Sequence, residues 1–321
     1  MLTWCPLFQR HTFTDEEKRS YIDAELCLMR KPANLGIRGS RTKFDEFQAA
    51  HALQTEIAHF VGQFLPFHRL FVWAHEKALR VVCNYTGSQP YWEEELDAGA
   101  FSKSMLLDPI LGFGGDGAGP NGCIRDGPFA NYTNPIGPGY IIHDHCIERQ
   151  VNDMFSMAAL PAVVNRCMNM TAFLDFWPCI EGGPHGAGHG GIGAEMLNPI
   201  SSPGDPLFFL HHAWLDKLWW QWQAQDPSSR FKEIGGNNWA NLTANVGGPP
   251  PGVMPPGMSP PPGGFTPVNL TRPDDVPKPA IYGDPGDVTT LNHLLYLYGM
   301  VENRTVSEVM DTSGFLCYQY V

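Results

Sequence analysis

Positive charge is scarce in this 321-residue chain: 21 lysines and arginines face 33 aspartates and glutamates, a formal charge of −12. With no basic patch to hold phosphates, nucleic acid and anionic membrane surfaces are poor partners, and neutral or cationic small molecules fit better. No apolar run approaches the roughly 20 residues that a membrane span needs. The eight cysteines contain no CxxC pair, which argues against metal–thiolate clusters and thioredoxin-type exchange. The opening MLTWCPLFQR lacks a basic stretch followed by an apolar one, so it is no signal peptide, and the chain reads as a mature, processed form.

What is present points outward from the cell. The even number of cysteines favours disulfides, and six N-x-S/T sequons, at Asn84, Asn131, Asn169, Asn241, Asn269 and Asn303, add N-glycans; together they predict a secreted protein. A hydrophobic content of 43%, with 12% aromatics, is enough for a substantial core.

Patterning predicts a mainly α protein of one domain over residues 1–321, with long loops and little β. Residues 14–29 open with an acid-rich turn behind Thr14 and repeat apolar residues at helical spacing. A second helix covers 43–58, a third starts near Pro66, and a fourth follows Asp205-Pro206. Residues 112–139, rich in Gly, Pro, Asn and Asp, read as loop, LNHLLYLYGM reads as a short helix or strand, and the Pro/Gly tract at 247–264 reads as a surface loop.

The chemistry lies in the histidines. His51, His59 and His68 fall in FQAAHALQTEIAHFVGQFLPFHR, and His185 and His189 in GPHGAGHG, followed by the pair His211-His212 in DPLFFLHHAWLD. His185 and His189, four apart, share a helix face. A histidine in so apolar a setting needs a partner for each ring nitrogen, and a metal supplies one. Two histidine triplets without cysteine or carboxylate at ligand spacing suggest two metals held by neutral imidazoles. The residues between His185 and His189 offer no glutamate to act as the base of a zinc hydrolase, so redox-active copper is favoured.

Taken in order, these motifs resemble the two copper-binding regions of the type-3 copper family of tyrosinases, catechol oxidases and haemocyanins, closest to the short fungal polyphenol oxidases. They span residues 47–222, and PYW at 90–92 and the closing DTSGFLCYQY extend the resemblance over most of the chain. It implies a four-helix bundle holding two copper ions, one on His51, His59 and His68, the other on His185, His189 and His212. It leaves His211 as a supporting or core residue. It further implies dioxygen and small phenols as substrates, with catechols, and o-aminophenols beside them, leaving as quinones. Arg69 and Asp205 match positions that brace the metal helices, and Asp216 matches one that orients His212.

Several positions depart from the tyrosinase pattern. Gly186 stands where many tyrosinases carry an asparagine that helps hold a phenol-deprotonating water. Glu181 is the candidate carboxylate for that water, with a solvated loop glutamate as the plainer reading. Gly190 is expected to leave the pocket open, and Ile200, or Pro199, to gate it. Ile57 stands where relatives place a thioether cysteine. The chain ends at Val321 without a plugging domain, which implies an open pocket. Weak or absent monophenol hydroxylation is therefore expected. Among the other histidines, His75 reads as supporting or core, and His143 and His145 as a solvated loop. A haemocyanin-like oxygen carrier, a zinc hydrolase and a copper-binding protein without turnover are the rival readings.

Overall fold

The computed structural model describes residues 5–242 and 270–321, so the tract at 247–264 and the sequon at Asn269 lie outside the described residues. Helix accounts for about 48% of it and strand for little. Helix α1 (Asp15–Leu28) starts where its sequence places it: Thr14 and Glu17 form a reciprocal capping box that satisfies two first-turn N–H groups. The Thr42 and Asp45 pair does the same for α2 (Lys43–Ala58). Every residue of α2 from Phe44 to Ala58 is buried, so this helix has no solvent face and runs through the core.

Helix α3 (Phe64–Cys83) begins earlier than the Pro66 start that the sequence suggested. Proline at the third position costs nothing there, because first-turn N–H groups have no intrahelical partner in any case. Helices α4 (Pro161–Met168), α5 (Phe173–Ile180), α6 (Gly186–Ile192) and α7 (Leu207–Gln225) complete the main set, and α7 packs along α3. The expected loop at 112–139 is mostly irregular. It also contributes Thr133–Ile136 to an antiparallel pair with Ile142–Cys146. Leu294–Leu295 settles the ambiguous later segment as strand, paired with Arg304–Thr305.

Two buried ion pairs lock this frame. Arg149 clamps Asp205 in bidentate fashion at 2.7 and 3.0 Å, while Asp205 Oδ1 accepts the Leu207 N–H at 3.0 Å and so starts α7. Arg69 of α3 donates to Asp216 of α7 at 2.5 Å and to the Met310 carbonyl at 2.8 Å. The strand Tyr318–Tyr320 lies parallel to Cys5–Leu7, and both of its tyrosine hydroxyls donate to Asp216 Oδ2. Arg69 and Asp205 thus brace the helices as the resemblance implied. Asp216 differs: its oxygens serve Arg69, Tyr318 and Tyr320, and no bond reaches His212.

Disulfides Cys27–Cys83, Cys123–Cys146 and Cys167–Cys179 staple α1 to α3, the central loop to its strand, and α4 to α5. Replacing Asp216 with Asn removes the charge opposite a fully buried guanidinium. The loss expected is about 3–5 kcal/mol, read as a lower urea midpoint at unchanged slope.

Candidate metal centre

Three local features aim the first histidine set inward. His51 lies on the buried helix α2, and its Nδ1 pairs with the Ile200 carbonyl at 3.0 Å. At His59 the backbone leaves helical geometry (φ −126°, ψ 145°), and the ring turns back so that Nδ1 meets the Thr55 carbonyl at 3.2 Å. His68, one turn into α3, pairs Nδ1 with the Phe64 carbonyl at 2.9 Å.

The second set is built on a wide, π-type turn at Glu181–His185 that carries Pro184 and leads into α6. Such turns recur at functional sites because they re-aim a side chain within a helix. His185 Nδ1 pairs with the Glu181 carbonyl at 3.0 Å, and His189 Nδ1 with the Met196 carbonyl. Helix α7 supplies His211 and His212.

A carbonyl oxygen only accepts, so in these five imidazoles Nδ1 carries the proton and Nε2 keeps a free lone pair. Nε2 of His51, His68 and His185 is buried without a partner among the described residues, an arrangement that costs energy unless something occupies it. His51, His59 and His68 bring one ring nitrogen each within 4.8 Å of one another; His185, His189, His211 and His212 do the same. The two sets adjoin: His68 and His212 stack at 4.1 Å, and His189 Nε2 lies 3.3 Å from His212 Nε2. Phe64 packs against His68 and His185, and Phe208 against His68 and His212, so the rings meet in an apolar surround.

Burial dominates the electrostatics. It pushes His59 down to about 3 and His189 to about 4, and holds His51, His68, His185, His211 and His212 well below 6.5, with neighbouring imidazoles adding to the effect. All seven are therefore neutral donors at physiological pH. The donor set fits a borderline metal that accepts three imidazoles per ion.

Glu94 is the residue that sequence reading missed. Its carboxyl, fully buried, bonds His211 Nδ1 at 2.5 Å, and burial, then the charges of Asp97 and Glu93, raise its pKa well above the usual carboxylate range. Nothing in the acidic run EEELD singles out one member. Gly188 makes the approach possible, since a Cβ there would lie 2.1 Å from His211 Nδ1 and 2.7 Å from Glu94 Oε1. His212, by contrast, keeps Nδ1 without a partner among the described residues.

Other expectations shift. Glu181 is no solvated loop residue: it is buried, accepts from the Phe60 N–H and the Trp177 indole N–H at 2.6 Å each, and burial raises its pKa to about 8. Gly186 does open onto space, with nothing within 4 Å of an added Cβ. Gly190 does not line an opening, because its Cβ would meet the Phe155 ring at 3.1 Å. Ile200 is fully buried in a cluster with Ile37, Ala49 and Tyr140, and it is the carbonyl that faces the site, while Pro199 is half-buried. His75 bonds Gln89 and Glu25 in the core. His143 is exposed as expected, but the largely covered His145 bonds Glu195 at 2.9 Å; burial lowers its pKa, yet that bond and charge raise it on balance.

The common central domain of tyrosinase matches residues 41–225, which include all seven of these histidines. The chain belongs to the tyrosinase family. A tyrosinase-like protein of Diaporthe leptostromiformis is 31% identical over 94% of this chain and 75% of its own length. A tyrosinase of Aspergillus flavus is 30% identical over 96% and 77%. Among solved structures, a polyphenol oxidase variant from Thermothelomyces thermophila superposes with a TM-score of 0.77 at 26% identity, covering 99% of this chain and 89% of that one. Family membership makes the protein a copper-dependent oxidoreductase.

The buried histidines set an acid limit for the metal-free fold. Each is neutral when folded but protonates near pH 6.5 when unfolded, so its contribution is complete above that pH. Below it the unfolded chain binds more protons, and stability falls by up to about 1.4 kcal/mol per pH unit for each histidine. Urea midpoints of the copper-free protein should drop steadily from pH 7.5 to pH 5. Gly188→Ala should destabilise by about 1–3 kcal/mol, the cost of overpacking, as the Glu94–His211 contact is forced apart; the check is the same denaturation assay.

Proposed function

We propose that the protein is a secreted polyphenol oxidase, one catalytic domain over residues 1–321, that oxidises o-diphenols with dioxygen. His51, His59 and His68 would hold one copper, and His185, His189 and His212 the other. The observation that carries this is the set of inward Nε2 lone pairs, fixed by Nδ1 bonds to backbone carbonyls and aimed from two adjoining sets. For the last ligand His212 is preferred on the resemblance, supported by its Nε2 lying 3.3 Å from His189 Nε2, while Glu94 holds the neighbouring His211.

Bound there, the copper pair supplies dioxygen binding and two-electron redox chemistry. The chain's own part is to keep seven imidazoles neutral, orient their lone pairs and give them an apolar surround with Phe64 and Phe208. A catechol gives up two electrons and two protons and leaves as its o-quinone.

Gly186 has no side chain to hold a deprotonating water, and both oxygens of Glu181 already accept protein N–H groups. This supports catechols, and o-aminophenols, over monophenols. Monophenol hydroxylation is the second reading, favoured by the raised pKa of Glu181 beside His185 and by the tyrosinase names of the relatives. Secretion rests on the three disulfides and on five sequon asparagines, Asn84, Asn131, Asn169, Asn241 and Asn303, that lie exposed. Among the described residues no helix is long and apolar enough to cross a membrane.

Dioxygen uptake by the copper-loaded protein should follow addition of a catechol and stay near background with the matched monophenol. Uptake with both, the monophenol after a lag, would establish the second reading; uptake with neither would reject both. Gly186→Asn should raise the monophenol-to-catechol rate ratio by about 10²-fold, the low end for a positioned general base.

A further inference from the structure

Away from the metal centre, the hairpin of Leu294–Leu295 and Arg304–Thr305 borders an open cleft of about 630 Å³. That is within the roughly 300–1,000 Å³ of small-molecule sites. Three tyrosines wall it: Tyr282 meets Tyr296 at 5.9 Å between ring centroids, and Tyr296 meets Tyr298 at 5.4 Å, both near-perpendicular. The walls are fixed in advance. The Tyr296 hydroxyl accepts the Ala280 N–H at 3.1 Å and lies 3.3 Å from the Ala280 carbonyl, and Tyr298 is held at φ 50°. A non-glycine residue in the left-handed region is unfavourable and persists where the surroundings enforce it. Tyr282 stays 53% exposed, so an aromatic face is left in solvent on one wall.

The rim carries Lys278 and Asn303, and Asn303 is exposed and begins the sequon Asn303-Arg304-Thr305. We propose that this cleft seats the N-glycan of the chain's own Asn303, with the first sugars lying against the tyrosines. A pyranose ring presents an apolar face of C–H groups and a rim of hydroxyls; the first matches the electron-rich face of an aromatic ring, the second matches the Lys278 ammonium and the tyrosine hydroxyls. The attachment point lies on the rim of the cleft itself, so the sugar is delivered at high effective concentration and needs no diffusional encounter. None of the other exposed sequon asparagines, Asn131, Asn169 and Asn241, lines this cleft, and Asn84 lines a separate depression walled by Glu16, Arg19 and Asp23 with a single tyrosine, Tyr85. The inference rests on the reading of the protein as a secreted glycoprotein.

The test is endoglycosidase trimming of the native protein secreted from a fungal host, followed by glycopeptide mass spectrometry at each sequon. The glycan at Asn303 should be released several-fold more slowly than that at Asn84, and Tyr282→Ala should abolish the difference while leaving catechol oxidation unchanged. Tyr298→Phe serves as a second variant, which removes a hydroxyl but keeps the ring, and should retain most of the protection. Bare Asn303 beside occupied Asn84, or equal release at both, would overturn the inference alone. Bare asparagine at every sequon would overturn the secreted-glycoprotein reading with it.

Discussion

A histidine buried in an apolar core has two ring nitrogens and must find something for each, and that demand organises this molecule. Five imidazoles meet half of it through backbone carbonyls, two of them from the preceding turn of their own helix and one from the start of the wide turn that precedes α6. The carbonyl fixes the tautomer, the tautomer leaves Nε2 as a bare lone pair, and the helix directions bring those lone pairs together. The low pKa values express the same desolvation that would make an empty pair of sites costly.

Everything around the centre keeps those directions fixed. Helix α2 has no solvent face, α3 and α7 pack together, and Arg69 joins them to each other and to the chain end through Asp216. The Arg149–Asp205 clamp sets where α7 begins, and therefore how far along it His211 and His212 sit. Gly188 is the complement to these bulky restraints: its missing side chain is the space in which the Glu94 carboxyl meets His211.

Much of this was legible because it is local. The capped start of α1, the span of α2, the apolar run of α7 and the order of the histidines can be read along the chain, since helical period and capping are short-range effects. What escaped depends on partners far apart in sequence. Glu94 and His211 stand 117 residues apart, and Glu181 reaches Phe60 across 121. His145 reads as a solvated loop residue along the chain, and the partner that holds it, Glu195, lies 50 residues on. Gly190 read as an opening when Phe155, on another segment, lies over it. Asp216, one turn beyond His212, reads along the chain as a residue that orients His212; its actual partners are Arg69 of α3 and two tyrosines of the last strand, which no helical spacing reveals.

The central claim is that two adjoining sets of neutral imidazoles are built to hold two copper ions. Its most direct test is equilibrium dialysis of the metal-free protein against copper and against zinc at neutral pH, followed by metal analysis of wild type and of His211→Ala and His212→Ala. The account predicts two coppers per chain in wild type and in His211→Ala, and one in His212→Ala, with zinc bound less tightly. A single copper in wild type, preference for zinc, or loss of copper from His211→Ala with retention in His212→Ala would contradict it.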